Sequence, residues 1–180
     1  MSAPVSAHLF YSVNGVARDP HLFQFDAFGE AEGELMATAL EGVTDLVIGR
    51  KLWQEWKDYW ATADDPFGAF INPVRKHVIS STLQGPLEWN STVAVGDPID
   101  YVRRLAATAA GRVSVAGGVQ TVRSLFVGGA IDTLTLTMHP AVTPDGERLF
   151  DESVPLTRLQ LVDSVITPAG NAVLTYSLRP

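Results

Sequence analysis

Two adjacent glycines, Gly117 and Gly118, separate an apolar segment from a helical pattern, and they are the strongest chemical signal in the chain. Paired glycines let a backbone approach a ligand closely, and the helix that follows from Val119 offers unpaired N–H groups to a phosphate. The segment lacks the full G-x-G-x-x-G pattern of dinucleotide sites. A tight strand-to-helix turn without a ligand therefore stays open as the alternative.

Two earlier segments also carry groups that suit an anion. Gly49, Arg50 and Lys51 follow a buried apolar segment, and cations at the start of a helix oppose its dipole unless an anion binds there. Ser80 and Ser81 follow the next apolar segment and offer hydroxyl donors. The plainer alternatives are two solvated charges and a Ser/Thr turn. Because open α/β sheets bind ligands at the carboxyl ends of their strands, the three segments together favour a nucleotide site.

Three tryptophans lie on one face of the helical segment 50–60, since Trp53, Trp56 and Trp60 are spaced by three and four residues. Core packing explains such a face, because large aromatic side chains are usually buried. The alternative is that one ring forms the wall of a pocket for a flat aromatic ligand. Trp53 is our candidate for that contact with the substrate.

Composition and charge exclude several classes of protein. A chain of 180 residues with 46% hydrophobic and 18% charged residues predicts one globular domain over 1–180. There is no cysteine, and the four histidines lack metal-ligating spacing, so we expect no disulfide, thiol nucleophile or metal site. A net charge of −7 without a basic patch argues against nucleic acid as a partner. Without a membrane-spanning or signal segment, we expect a cytoplasmic protein that does not bind membranes.

Strand and helix patterns alternate through most of the chain. Strands are predicted at 8–13, 45–48, 76–79, 92–95, 112–116 and 134–139, and helices at 34–40, 50–60, 98–109 and 119–127. Asp97 and Pro98 mark one helix start clearly, as a cap and a first-turn proline. The segments 156–166 and 172–178 predict a terminal antiparallel pair. The order predicts an α/β fold with a mainly parallel sheet and an antiparallel edge.

The order of these motifs resembles the dihydrofolate-reductase-like superfamily. Within it, the sequence is similar to the reductase domain of the bifunctional riboflavin-biosynthesis deaminase-reductase. The segments that carry the resemblance are 12–15, 47–51, 78–83, 116–118, 131–134, 139–140 and 146–150. They span nearly the whole chain. The resemblance implies a mostly parallel eight-stranded sheet with an antiparallel C-terminal hairpin and flanking helices.

The resemblance also implies NADPH as the cofactor. In such folds the Gly-Arg-Lys and Ser-Ser turns hold the adenosine 2′-phosphate, the Gly-Gly turn holds the pyrophosphate, and the turn after the first strand faces the nicotinamide and the substrate. The cofactor-binding residues implied in this way are Gly49, Arg50, Lys51, Ser80, Ser81, Gly117, Gly118, Val119 and Gln120. The expected substrate-binding residues are Ser12, Asn14, Gly15 and, from the aromatic helix, Trp53.

Two positions and one unmatched acid depart from the family pattern. Asn14 stands where the reductases often have Asp, and Leu52 stands where dihydrofolate reductases have Thr. The first-helix acid that engages a pterin has no clear match among Asp26, Glu30, Glu32 and Glu34. Since an amide cannot exchange a proton as a carboxylate does, no catalytic residue is assigned, and the proton is expected from water.

The resemblance therefore predicts hydride transfer from NADPH to a small heterocyclic imine or carbonyl, as in a 5-amino-6-(5-phosphoribosylamino)uracil reductase. The alternatives are a non-catalytic nucleotide- or small-molecule-binding protein on the same fold, and a dihydrofolate reductase. A homodimer is expected, because relatives often pair and the terminal hairpin offers an open sheet edge.

Overall fold

A computed structural model describes residues 2–178, which contain one sheet of eight strands in the order β4-β3-β2-β5-β1-β6-β8-β7. The strands are β1 (Val5–Ser12), β2 (Val43–Gly49), β3 (Arg75–Ile79), β4 (Ser91–Ala94), β5 (Arg112–Val115), β6 (Thr133–His139), β7 (Gln160–Ile166) and β8 (Ala172–Ser177). Strands β1 to β6 pair in parallel, whereas β8 runs antiparallel to both β6 and β7. The predicted α/β fold with an antiparallel terminal hairpin is confirmed.

The helices are α1 (His21–Gln24), α2 (Glu30–Leu40), α3 (Arg50–Trp60), α4 (Pro66–Ile71), α5 (Pro98–Thr108) and α6 (Val119–Val127), with a 3-10 helix at Phe25–Ala27. The predicted bounds of α3 agree with the structure. Asp97 caps α5 as predicted, by accepting hydrogen bonds from the N–H groups of Ile99 and Asp100. Within residues 2–178, no helix is long and apolar enough to cross a membrane.

Three elements start three or more residues away from the predicted position, each for a local reason. Helix α2 begins at Glu30 rather than at residue 34, because the Glu32 carboxylate accepts the N–H of Gly29 and closes the first turn. Strand β1 begins at Val5 rather than at residue 8, since its N–H donates to Asp132. Strand β7 begins at Gln160 rather than at residue 156, because its partner β8 ends opposite that residue.

Two apolar clusters cover the two faces of the sheet. Residues alternate along β2, so that Leu46 and Ile48 pack under α3 and α4, whereas Val47 packs under α5 and α6. Helix α2 lies on the face opposite α5 and α6, because its Glu32 lies close enough to His139 to act on the pKa of that ring, whereas Leu134 and Leu136 of the same strand pack in the cluster of α5 and α6. The turns at the carboxyl ends of the parallel strands thus lie together at one edge of the sheet, between these layers.

Candidate functional site

The turns after β2 and β5 both lie against the side chain of Thr121 in α6. A Cβ added at Gly49 would lie 2.5 Å from Thr121 Oγ1, and one added at Gly118 would lie 3.6 Å from the same atom. Gly49 is the N-cap of α3 and Gly118 is the N-cap of α6, so neither helix start has a side-chain cap. The structure therefore brings two of the predicted anion-binding turns into contact, with both helix N-termini at the same edge.

The backbone at Gly117 and Gly118 does not itself require glycine. Gly118 has φ −82° and ψ 116°, which any residue adopts readily. An added Cβ would make ordinary contacts, 3.7 Å to the nearest atom at Gly117 and 3.6 Å at Gly118. A strand-to-helix turn of this shape could carry side chains at both positions. Their absence favours the interpretation that a ligand approaches the backbone here.

Arg50 and Lys51 stand at the start of α3 without a carboxylate to balance them. Arg50 donates a hydrogen bond to Gln54 at 3.1 Å, and the first turn of α3 contains no acidic residue. Among the described residues, neither cation forms an ion pair. Two uncompensated cations at the positive end of a helix dipole are unfavourable by themselves and favour an anion at this position.

Ser80 lies beside this pair of cations, because Gly49 and Ile79 are register partners in β2 and β3. Its Oγ accepts hydrogen bonds from the N–H groups of Thr82 and Leu83 at 3.1 and 3.0 Å, as the Ser/Thr turn interpretation expects. Its Oγ also lies 3.4 Å from Thr82 Oγ1, so the Ser80 hydroxyl hydrogen can turn either to that oxygen or to an outside acceptor. Ser80 also lines a groove of about 420 Å³ at the ends of β3 and β4, and Ser81 is exposed next to it.

The side chains of Val119 and Gln120 lie on different sides of α6. Val119 is buried in the core, so that only its backbone can face a ligand. Gln120 is exposed and lines a second groove, with Ile99 and Ser124, between α5 and α6. If these two residues contact a cofactor, Val119 therefore does so through its backbone N–H and Gln120 through its solvent-facing amide.

The turn after β1 is held to the chain after β6 by Asn14. Its Nδ2 donates to the Thr143 carbonyl at 2.7 Å, and its Oδ1 accepts from the Thr143 N–H at 3.2 Å and from the Ser12 hydroxyl at 2.8 Å. Gly15 has φ +85°, which strongly favours glycine. A carboxylate lacks the N–H that bonds the Thr143 carbonyl, and this accounts for Asn in place of Asp. The polar atoms of Ser12 and Asn14 thus shape the turn.

Trp53, which the sequence analysis predicts to contact a substrate, lies in the core of the structure. The ring is 5% exposed, in the cluster beneath α3 and α4, and its Nε1 donates to Ser91 Oγ at 2.9 Å. Ser91 begins β4, at the opposite edge of the sheet from the Gly-Gly turn. The ring therefore packs in the core, which was the alternative interpretation of the aromatic face.

A buried polar cluster on the face covered by α2 was not predicted from the sequence. Glu32 is 4% exposed, and its carboxylate accepts hydrogen bonds from the Gly29 N–H at 2.9 Å and from Asn171 Nδ2 at 2.7 Å. His139 ends β6 on the same face, with its ring fully buried. His8 lies on that face of β1 and its Nε2 bonds the Thr137 hydroxyl at 2.7 Å. The sequence signal for part of this cluster is the Gly-x-x-Glu capping pattern at the start of α2.

The cluster combines a charged carboxylate with neutral imidazoles. Burial by itself raises the pKa of Glu32, but hydrogen bonds from Thr167, the Gly29 N–H and Asn171 outweigh it and lower that pKa to about 2. Burial, assisted by the nearby His139, lowers the pKa of His8 to about 4. Burial also lowers the pKa of His139, against the opposing effect of nearby carboxylates. Among the described residues, no group of three or more His, Cys, Asp or Glu side chains could hold a metal ion.

A family model for the RibD C-terminal domain matches residues 4–173. The chain belongs to the RibD C-terminal domain family. The match covers both strand-to-helix turns, the turn after β1 and the buried polar cluster. A reductase-type function is the one that membership of this family supports.

Solved structures show the same fold at low sequence identity. A putative riboflavin biosynthesis protein from Shewanella sp. PV-4 is 19% identical, with a TM-score of 0.80 over 100% of both chains. A dihydrofolate reductase from Enterococcus faecalis, complexed with NADP(H), is 16% identical, with a TM-score of 0.65 over 100% of both chains. A deaminase/5-amino-6-(5-phosphoribosylamino)uracil reductase from Thermotoga maritima is 11% identical, with a TM-score of 0.67 over 99% of this chain and 57% of that one. The dihydrofolate-reductase-like fold is confirmed.

Of the four acidic residues considered for the first helix of this RibD-type domain, only Glu32 is buried. Asp26, Glu30 and Glu34 are exposed. Both oxygens of Glu32 accept hydrogen bonds from the protein itself, from Gly29 and Asn171. An acid that engages a pterin must offer its oxygens to the ligand, and Glu32 does not.

The pH dependence of stability provides a test of the Glu32 network. Its pKa falls from 4.5 to about 2 on folding, so its contribution is complete above the unfolded value and is lost as the pH falls through the folded value. We expect this residue to contribute about 3 kcal/mol to the free energy of unfolding, lost between about pH 5 and pH 2. Urea unfolding across this range, compared with Glu32→Gln, measures the contribution. Glu34→Gln on the exposed side of α2 is the control, and a Glu32→Gln protein with the wild-type pH profile would contradict the network.

Proposed function

We propose that this protein is an NADPH-dependent reductase that transfers a hydride to a small heterocyclic imine or carbonyl. The observation that carries the proposal is the meeting of the α3 and α6 N-termini on Thr121, with an open glycine backbone on one side and unbalanced cations on the other. A dinucleotide with an additional 2′-phosphate has its negative charges where such an arrangement offers N–H groups and cations.

The residues present fit the cofactor at each of its charged parts. The Gly117–Gly118 backbone and the first N–H groups of α6 would hold the pyrophosphate, because neither glycine carries a side chain that would stand between the backbone and a phosphate. Arg50, Lys51 and the Ser80 hydroxyl would hold the 2′-phosphate. When bound, the reduced nicotinamide supplies the hydride. The groove beside Ser80, lined by Leu83, Gln84 and Val93, suits the adenine ring.

The uracil reductase named among the similar structures suggests the class of substrate, a ribosylamino-pyrimidine with a ribose phosphate. Such a substrate needs a cation of its own near the turn after β1. Arg18 already pairs with Asp19 at 3.5 Å. Arg148 donates its Nε to the Asn14 carbonyl at 3.1 Å and forms no ion pair within residues 2–178, so it is the better candidate for the ribose phosphate.

The alternative of a non-catalytic nucleotide-binding protein predicts NADPH binding without turnover. A fluorescence titration with NADPH alone does not separate the two functions. The deciding experiment is NADPH oxidation in the presence of the phosphoribosylaminouracil intermediate, with product analysis by mass spectrometry. Stoichiometric oxidation supports the reductase, whereas tight NADPH binding with no oxidation on any pyrimidine or small carbonyl compound supports the binding protein.

Dihydrofolate is expected to be a negligible substrate, with turnover far below about 1 s⁻¹. A pterin site needs a carboxylate that pairs with the pyrimidine nitrogen and amino group, and the oxygens of Glu32 are taken by Gly29 and Asn171. The loss of NADPH absorbance with dihydrofolate measures this rate. The positive control is a dihydrofolate reductase in the same assay, and oxidation at an ordinary enzymatic rate by this protein would overturn the choice of substrate class.

A homodimer through the β7 edge is also proposed. Strand β7 is the last strand of the sheet, and Leu161, Val162 and Ile166 on it are exposed. An open edge with apolar side chains is a ready template for pairing with a second copy. Sedimentation at micromolar concentration is expected to give twice 19.4 kDa, and Val162→Lys is expected to give the monomer. Val142→Lys, at an exposed loop position, is the matched control; a wild-type monomer would count against the dimer.

A further inference from the structure

Thr121 carries a hydroxyl that finds no partner on its own helix. The other two threonines in the described helices, Thr38 and Thr108, donate their hydroxyls to carbonyls of the preceding turn at 2.9 and 3.2 Å. Within residues 2–178 the Thr121 hydroxyl forms no such bond and bonds no other protein group, and the residue is partly exposed. A hydroxyl in this state can donate its hydrogen to a ligand.

The hydroxyl lies at the open end of α6. Thr121 is the third residue of this helix, and helical side chains lean toward the N-terminus, so its Oγ1 reaches back to Gly118. The first hydrogen bond of the helix runs from the Val122 N–H to the Gly118 carbonyl at 2.9 Å, which leaves the N–H groups before it without a helical partner. Thr121 therefore offers a backbone N–H and a side-chain O–H at the same helix end.

The neighbouring helix makes room for this hydroxyl. Gly49 has φ −74° and ψ 149°, which any residue adopts, so its backbone does not require glycine. A Cβ at Gly49 would lie 2.5 Å from Thr121 Oγ1, closer than real Cβ contacts come. The third residue of that helix, α3, is Leu52, which has no hydroxyl and packs against the apolar cluster beneath it. Thr121 is thus the residue that brings a hydroxyl to both helix starts.

We propose that Thr121 Oγ1 donates a hydrogen bond to the pyrophosphate of the bound dinucleotide. The proposal rests on the proposed function, and it adds a side-chain donor to the backbone N–H groups assigned to that part of the cofactor. A hydrogen bond to a charged acceptor is about twice as strong as one between neutral groups. Because NADPH and NADH have the same pyrophosphate, Thr121 serves both, whereas Arg50 serves the 2′-phosphate of NADPH.

The place of Thr121 in the sheet favours the pyrophosphate over the 2′-phosphate. Strand β2 lies between β5 and β3. Thr121 contacts the turns after β5 and β2, at Gly118 and Gly49, whereas Ser80 follows β3. Since neighbouring strands are about 4.8 Å apart, Ser80 is about two strand spacings from the Gly118 turn. The phosphate that Thr121 reaches is therefore the one held by the N–H groups of α6.

The first test is a pair of fluorescence titrations, with NADPH and with NADH. Thr121→Val keeps the branched shape and a similar helix propensity but removes the donor, so we expect both affinities to fall about 10-fold or more and by the same factor. Thr121→Ser keeps the donor, so both affinities should stay within about 3-fold of the wild type. Thr108→Val, whose hydroxyl bonds its own helix, is the matched control and should leave both affinities unchanged.

The second test is phosphorus NMR of saturating NADP⁺, because the pyrophosphate and the 2′-phosphate give separate signals. We expect Thr121→Val to move the pyrophosphate signals of the bound cofactor and to leave its 2′-phosphate signal in place. Arg50→Ala should do the reverse. A Thr121→Val spectrum that differs from the wild type only at the 2′-phosphate overturns the assignment to the pyrophosphate.

The outcomes separate the role of Thr121 from the proposed function. A wild-type protein that binds NADPH, with a Thr121→Val variant of equal affinity, overturns the role of Thr121 and leaves the reductase intact. A wild-type protein that binds neither dinucleotide overturns both. A Thr121→Val variant that loses affinity together with stability toward urea, without recovery in Thr121→Ser, assigns the residue to the fold and also overturns its role.

Discussion

Replacing Gly118 with valine is expected to weaken NADPH binding by about 100-fold or more, a loss of about 2.7 kcal/mol, while the protein still folds. The backbone at Gly118 lies in the extended region that valine prefers, and an added Cβ lies 3.6 Å from Thr121 Oγ1. The new methyl groups would occupy the backbone face proposed for the pyrophosphate. A fluorescence titration with NADPH measures the loss, and circular dichroism with urea unfolding measures the fold.

Two further glycines provide controls for this result. Gly33 has nothing within 4 Å of an added Cβ, so Gly33→Ala in α2 should leave NADPH affinity unchanged and stabilise the protein slightly. Gly49→Ala places a Cβ 2.5 Å from Thr121 Oγ1, so it should destabilise the fold and disturb both turns. Gly118→Val should lose about 1 kcal/mol of stability at most, because valine is a poor N-cap. A folded Gly118→Val protein with wild-type NADPH affinity refutes the pyrophosphate assignment.

The helices that could be predicted well are those with a local signal at their start and a periodic apolar face. The bounds of α3 follow from Gly49 before it and from the tryptophan periodicity within it, and those of α5 follow from Asp97 and Pro98. Helix α4 escaped prediction because it has only six residues, too few for a periodic pattern. Its start nevertheless follows a local rule, since Asp65 precedes Pro66 and accepts the N–H of Gly68 at 2.9 Å.

The parts of the site that could be predicted are those that follow directly from the parallel arrangement of the strands. The turns at Gly49, Ser80 and Gly118 could be grouped from the sequence, because the carboxyl ends of parallel strands meet at one edge. The polar cluster could not, since the hydrogen bond between Asn171 and Glu32 joins residues 139 positions apart. The spacing of aromatic residues along a helix also does not tell which ring is buried deepest. Trp53 of α3 donates to Ser91 of β4, and this contact between distant segments could not be predicted from the sequence.

Arg50→Ala is expected to weaken NADPH binding by about 10- to 100-fold and NADH binding by less than about 3-fold, because a charge-assisted hydrogen bond contributes about 1.5–3 kcal/mol and only NADPH has the 2′-phosphate. Paired titrations with the two cofactors at low and high salt measure the difference, which should shrink as salt screens the charge. Arg104→Ala is the matched control, since Arg104 is an exposed arginine without an ion pair among the described residues, on α5. An equal loss of affinity for NADPH and NADH would contradict the assignment of Arg50 to the 2′-phosphate.

Arg50→Ala, which should weaken NADPH binding, is expected to raise the stability of the ligand-free protein. Arg50 stands in the first turn of α3, where a cation opposes the helix dipole, and within residues 2–178 its side chain bonds the exposed Gln54. Removing the charge should therefore stabilise the ligand-free protein by about 0.3–1 kcal/mol. If a residue serves the fold, replacing it lowers the stability of the protein. If it serves a ligand, replacing it lowers only the affinity for that ligand. Arg50→Ala should unfold at higher urea than the wild type and bind NADPH less tightly, which is the behaviour expected of a cation kept at this turn for the phosphate it binds.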